Sequence, residues 1–209
     1  MAWDSLGSTY DVVAAKYEAR FIDELRDKPF DRELLTGFAR SAGDPVAEIG
    51  CGPGHIGAFV AQGGRRVFGV DLSAHMARLA AVRLDGAVVG DMRSLPLPSD
   101  SLGGLLAFYS VIHVRRAELG AVMAEFCRVV RPGGVVLFSA HEGQGELERD
   151  EWFDEPVPVV ATLFDLDELV TASRGAGLEV TRAERRRPYP TELDTFRLYV
   201  QVRKPDTAP

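Results

Sequence analysis

The stretch EIGCGPGHIG (48–57) places glycines at 50, 52, 54 and 57, a density that lets backbone wrap closely around a ligand. Two patterns overlap in it. Counted from Gly50 it reads G-x-G-x-G; counted from Gly52 it reads G-x-G-x-x-G, the pattern of a dinucleotide loop. Asp71 closes the apolar run RVFGVD (66–71), where a carboxylate can accept from the two hydroxyls of a ribose in either frame. His113 and His141 lie just beyond the apolar runs LLAFYSV (105–111) and VVLFSA (135–140), and imidazole exchanges protons near neutral pH. Arg115, Arg187 and Arg197 could grip an oxyanion, although charge runs such as TRAERRRPY (181–189) are commonly solvated faces. Cys51 and Cys127 lie far apart without partners of zinc-site spacing, so they read as reduced thiols, and no metal site is expected.

Positioning these groups requires regular elements. Tyr10, Val13, Ala14, Tyr17, Phe21 and Leu25 recur at three- and four-residue steps and predict an amphipathic helix. A second helix is expected from Asp31 to about Ser41, ended by SAGDP (41–45). Strands follow at 46–49, 66–71, 87–90, 105–111 and 135–140, separated by helices at 55–64, 74–84 and 116–131, with Ser73 capping the second of these. Such alternation implies right-handed crossovers and a mostly parallel sheet with helices on both faces. After a helix near 165–174, the runs 178–186 and 195–204 alternate in polarity and are joined through Pro188 and Pro190, which predicts an antiparallel hairpin. The expected fold is α/β, Rossmann-like, with a seven-stranded sheet.

The 209 residues suit one domain that folds without staples, with 1–41 as covering helices and 142–164 as an insertion. A net charge of −7 disfavours nucleic acid and favours a small-molecule partner. The longest uncharged apolar run, 102–114, is too short for a bilayer span, and the N-terminus carries no secretion pattern, so the expectation is a cytoplasmic protein without membrane contact, monomer or homodimer.

The strand expected at 46–49 ends at Ile49, so the turn begins at Gly50 and the frame in use is Gly50, Gly52, Gly54; the match from Gly52 reads as coincidental. In this frame the sequence resembles the class I S-adenosylmethionine-dependent methyltransferases, whose first motif is an acidic residue, an apolar residue and G-x-G-x-G. GVDLS (69–73), GDMRSLPLPSDSL (90–102) and RVVRPGGVVLFS (128–139) resemble the companion segments in order. YDVVAAKY (10–17) resembles the lid helix of the small-molecule, UbiE/type 11-like branch. Gly104 departs from the pattern, standing where an aspartate is common; a modest effect on stability is expected.

The resemblance implies S-adenosylmethionine as cofactor. The turn Gly50-Cys51-Gly52 would approach its methionine part, with Glu48 accepting from the ammonium group. Asp71 would hold the ribose, Asp91 and the Met92 backbone the adenine, and Leu72 and Met76 would supply apolar walls. Tyr10, Tyr17, Trp152, Phe153 and Phe164 would cover the pocket. A hydroxyl acceptor would need a base, His113 or else His141; an acidic oxygen would need no base but a cationic clamp from Arg115, Arg187 or Arg197. Methyl transfer to oxygen of a small molecule in secondary metabolism is the leading expectation. A nicotinamide-dependent oxidoreductase and a non-catalytic cofactor-binding protein remain alternatives.

Overall fold

The computed structural model describes residues 2–206. After a 3-10 turn at Ala2–Ser5 come α1 (Leu6–Phe21) and α2 (Pro29–Ser41). The alternating unit then runs β1 (Val46–Ile49), α3 (His55–Ala61), β2 (Val67–Asp71), α4 (Ala74–Ala80), β3 (Ala87–Val89), β4 (Leu102–Ala107), α5 (Leu119–Val129) and β5 (Val130–His141). A small hairpin, β6 (Glu146–Arg149) and β7 (Val159–Thr162), precedes α6 (Leu166–Gly175), β8 (Glu179–Arg186) and β9 (Arg197–Arg203).

The main sheet has seven strands in the order β3-β2-β1-β4-β5-β9-β8. The first five are parallel, and β9 runs antiparallel to both β5 and β8, as the alternation of the last two runs predicts. Side chains alternate across β1: Ala47 and Ile49 join a core with Met123, Phe126 and Leu169, while Val46 joins one with Leu35, Phe38 and Val60. The two cores lie on opposite faces, each closed by helices. Phe38 and Phe126 are fully buried, and truncating either ring to alanine would cost about 3 to 5 kcal/mol. Among the described residues no helix is long and apolar enough to cross a membrane.

The expected fourth strand at 105–111 lies instead at 102–107. It stops because Tyr109 takes a left-handed backbone, φ +55, after which Val111–His113 forms a 3-10 turn. Helices α3 and α4 end a turn early, and the helix expected at 116–131 is a 3-10 turn followed by α5. The expected insertion, 142–164, holds the β6–β7 hairpin, whose second strand is buried and packs against the Val111–His113 turn.

Gly104 is explained by packing. A Cβ there would lie 2.7 Å from Ala42 Cβ and 3.3 Å from Phe38 Cζ, so the absent side chain lets α2 approach the sheet. Gly103 is more constrained still, with a Cβ falling 2.3 Å from the Gly43 carbonyl carbon.

Candidate active site

The strand-to-helix turn begins where the first glycine frame puts it. Gly50, Gly52 and Gly54 all have positive φ (+66, +52 and +81), a region that disfavours side chains. A Cβ on Gly50 would collide with Ser110 Cβ at 2.3 Å, while Ser110 Oγ donates to Ile49 O at 2.6 Å. The turn is thereby fixed against the end of β4. Gly57, the third glycine of the frame read as coincidental, has a role after all: its N–H donates to Glu48 Oε2 at 2.9 Å, and a Cβ would meet that oxygen at 2.5 Å. It lets α3 pack directly on the sheet.

A cleft opens above this turn, at the C-terminal ends of β1, β2 and β4, where open α/β sheets bind ligands. Gly50, Gly52 and Asp71 form its floor; Leu72, Asp91 and Met92 one wall; Phe108, Tyr109, Ser110 and His113 another. Tyr10 and Tyr17 of α1 close it from above, with Trp3 and Leu6 beside them. Asp71 is buried and accepts from the N–H groups of Gly52 and Ser73, both at 2.8 Å, so its carboxylate is rigid. Burial raises its pKa to about 6 despite those bonds.

Helix α1 is tied down on both sides. Asp11 Oδ1 accepts from Ser73 Oγ at 2.6 Å and from the His75 N–H at 2.8 Å, reinforcing the Ser73 cap of α4. Lys16 Nζ donates to Phe153 O at 2.8 Å and Glu155 Oε1 at 2.7 Å, and Thr9 donates to Pro158 O at 2.7 Å. Trp152 meets Tyr10 edge-on at 5.0 Å between centroids and Tyr17 at 5.9 Å; Phe153 lies 6.1 Å from Tyr17. The expected aromatic cover is thus assembled from two distant segments. Phe164 is not part of it, being fully buried in the core under Arg116.

His113 faces this cover. Its Nδ1 lies 2.7 Å from Val160 O, an atom that only accepts, so Nδ1 carries the proton. Nε2 is then an acceptor, and the Tyr10 hydroxyl, 2.6 Å away, donates to it. Burial lowers the His113 pKa to about 4, so the ring is neutral at pH 7, with Nε2 engaged by the Tyr10 hydroxyl.

Several expected site residues lie elsewhere. Glu48 is buried beneath the turn, facing α3 and not the cleft, and burial raises its pKa to about 8. The Cys51 thiol points toward Gly69, where a Cβ would meet its sulfur at 2.7 Å, and its N–H donates to Val70 O. Met76 is fully buried and is no cleft wall. His141 stacks on Tyr109 at 5.3 Å between centroids, its Nδ1 3.3 Å from Thr195 Oγ1, and does not line the cleft.

The expected cationic clamp is also absent from the cleft. Arg197 is buried and donates to Leu193 O, Thr195 O and Thr195 Oγ1, pinning the loop before β9. Arg187 is exposed beside Phe196, and Arg115 sits near Trp3, Asp4 and Glu118 at the rim. The cation that does line the cleft is Arg93, which grips Asp91 through Nε and Nη2 at 2.6 to 3.0 Å and holds its pKa below the usual carboxylate range. Sequence reasoning missed Arg93, Trp3, Tyr109 and Ser110, although the last two follow directly from the rule that strand ends line the crevice.

Comparison with known proteins came to the same fold. Residues 46–134 match the family model described as a methyltransferase domain. An uncharacterised methyltransferase of Geobacillus kaustophilus is 28% identical over 140 residues, 66% of this chain and 64% of that protein. Malonyl-[acyl-carrier protein] O-methyltransferase of Yersinia pestis is 38% identical over 96 residues, 45% of this chain and 35% of its own length. The chain therefore spans about a third to two thirds of these curated relatives. DhpI, solved in complex with SAH, superposes with a TM-score of 0.75 at 21% identity, covering 99% of this chain and 98% of the other.

Proposed function

We propose, from its membership of the class I S-adenosylmethionine-dependent methyltransferases, that this chain moves a methyl group onto an oxygen of a small molecule. The observation that carries the reading is the cleft itself, with the Gly50–Gly52 turn and Asp71 on its floor and the Tyr10–His113 pair in its wall. The residues fit the cofactor. A glycine turn with no Cβ admits close backbone approach, Asp71 is a fixed acceptor for ribose hydroxyls, and Leu72 and Met92 flank Asp91 where an adenine would lie. S-adenosylmethionine, when bound, supplies a methyl group on a sulfonium that needs no further activation.

The chain's own residues then have three tasks. Gly50, Gly52 and Asp71 fix the donor end, and orientation of this kind can supply roughly 7 to 11 kcal/mol of the barrier. Tyr10, Tyr17, Trp152 and Phe153, with α1 as lid, exclude water. His113 Nε2 takes up a proton where the acceptor carries one. That a relative 38% identical over 96 residues is named an O-methyltransferase supports oxygen as the target.

Incubation with methyl-labelled S-adenosylmethionine and a panel of small hydroxyl, carboxyl and amine compounds tests the reading. Label in an ether or ester product, lost in Asp71→Ala, supports it. Label only on nitrogen or carbon, or none while the cofactor is bound, refutes it.

A further inference from the structure

The cleft pairs a proton acceptor with aromatic walls and, among the described residues that line it, leaves no cation at liberty, and this combination narrows the acceptor. We infer that it is an un-ionised hydroxyl on a flat aromatic molecule, which gives up its proton through Tyr10 to His113. The inference rests on the methyltransferase reading above and names its substrate class.

Anionic acceptors would require a cationic clamp, since an oxyanion buried without a partner is costly. Arg93 is committed to Asp91 and reaches Glu118 at 3.3 Å, and Lys16 is paired with Glu155. The three other arginines that might have served are at the rim, exposed, or locked into a loop. A carboxylate or phosphate entering this cleft would meet the carboxylate of Asp71 and tyrosine rings.

An aromatic ring is accommodated by the same walls. Trp3, Tyr10, Tyr17, Phe108 and Tyr109 line the cleft, and Trp152 backs Tyr10 edge-on at 5.0 Å between centroids. Tyr109 presents a ring to the cleft from a strained left-handed backbone, φ +55, held by its N–H on Ser139 Oγ and its hydroxyl on Tyr199. Edge-to-face geometry against such rings favours a flat aromatic over a flexible chain.

The proton has a defined route. The acceptor O–H gives its proton to the Tyr10 oxygen as Tyr10 passes its own to His113 Nε2, forming imidazolium. The freed acceptor oxygen forms the new O–CH3 bond as the S–CH3 bond breaks, and that bond's electron pair stays on sulfur. The cofactor leaves as neutral S-adenosylhomocysteine, and the imidazolium releases its proton to water. An acceptor already ionised would have no use for this pair.

Both tryptophans of the chain, Trp3 and Trp152, belong to the cleft or its cover, so intrinsic fluorescence reports occupancy without turnover. Protein loaded with S-adenosylhomocysteine is titrated with a panel of phenols, including 4-propylphenol and catechol, and with octanol, benzoate and malonate. Saturable quenching by phenols, with methyl ether formed when S-adenosylmethionine replaces the product, is expected. His113→Gln and Tyr10→Phe should keep S-adenosylhomocysteine affinity within about threefold and lose about 100-fold or more in turnover. The loss should fall on kcat, with KM for the phenol kept within about threefold, a split that a merely structural role would not give. No phenol binding to the loaded protein, or turnover of benzoate or malonate in its place, overturns the inference. Failure to bind S-adenosylhomocysteine at all would instead fell the methyltransferase reading.

Discussion

Glu48 offers a quantitative test of how the turn is built. Its carboxyl is 2% exposed, accepts from the Gly57 N–H, and has a pKa raised from 4.5 to about 8, first by burial and then by Asp71 and Glu24. A carboxyl whose folded pKa exceeds its unfolded value binds more protons folded than unfolded between the two, so stability falls as pH rises from 4.5 to about 8. At about 1.4 kcal/mol per pH unit, the accumulated cost is about 3 kcal/mol at pH 7 and about 1 kcal/mol at pH 5. Glu48→Gln keeps an acceptor for Gly57 and abolishes the titration. The variant should therefore gain on the parent by about 2 kcal/mol between pH 5 and pH 7, opening a gap of roughly 4 to 8 °C in melting temperature for a chain of this size. Thermal unfolding by circular dichroism at both pH values, without cofactor, measures it. A gap that stays constant with pH, or closes as pH rises, would mean that Glu48 is ionised and solvated, and the described burial under the turn would be wrong.

Other expectations follow from single contacts. Gly103→Ala puts a Cβ 2.3 Å from the Gly43 backbone and should destabilise by several kcal/mol, roughly 3 or more, whereas Gly37→Ala in α2 meets nothing within 4 Å and should stabilise by roughly 0.5 to 1 kcal/mol; urea titration of the pair checks both. Asp11→Ala removes the acceptor shared by Ser73 Oγ and His75 N–H, for a loss of about 1 kcal/mol and a faster exchange of the amides at the start of α4, read by hydrogen exchange. With Asp71 titrating at about 6 and needed as a carboxylate, S-adenosylhomocysteine affinity should weaken about tenfold from pH 7 to pH 5, a slope that should vanish in Asp71→Ala.

Much of the architecture could be read from the chain because its signals are local. The end of β1 at Ile49 set the glycine frame, the polarity alternation after 178 foretold the β8–β9 pair, and the period of α1 placed Tyr10 and Tyr17 together over the cleft. Side-chain direction was harder. Glu48 shares β1 with Ile49 but points to the other face, a period-two consequence that places it against Gly57 and away from the ligand side. His113 and His141 both lie beyond apolar runs, yet only His113 lines the cleft; His141 instead stacks at 5.3 Å on Tyr109, a cleft residue whose left-handed backbone has no local sign in the sequence. Arg197 and Arg187 depended on a loop, 187–196, whose fold is decided by Glu192 and Thr195.

The central claim is that the Gly50 turn and Asp71 form a site for S-adenosylmethionine. Calorimetric titration of the intact chain with S-adenosylhomocysteine and, separately, with NAD tests it most directly, repeated on Asp71→Ala. The account predicts saturable one-to-one binding of S-adenosylhomocysteine, weakened at least tenfold in the variant, and no heat from NAD. Binding of NAD with none of S-adenosylhomocysteine would contradict it and return the chain to the dinucleotide frame.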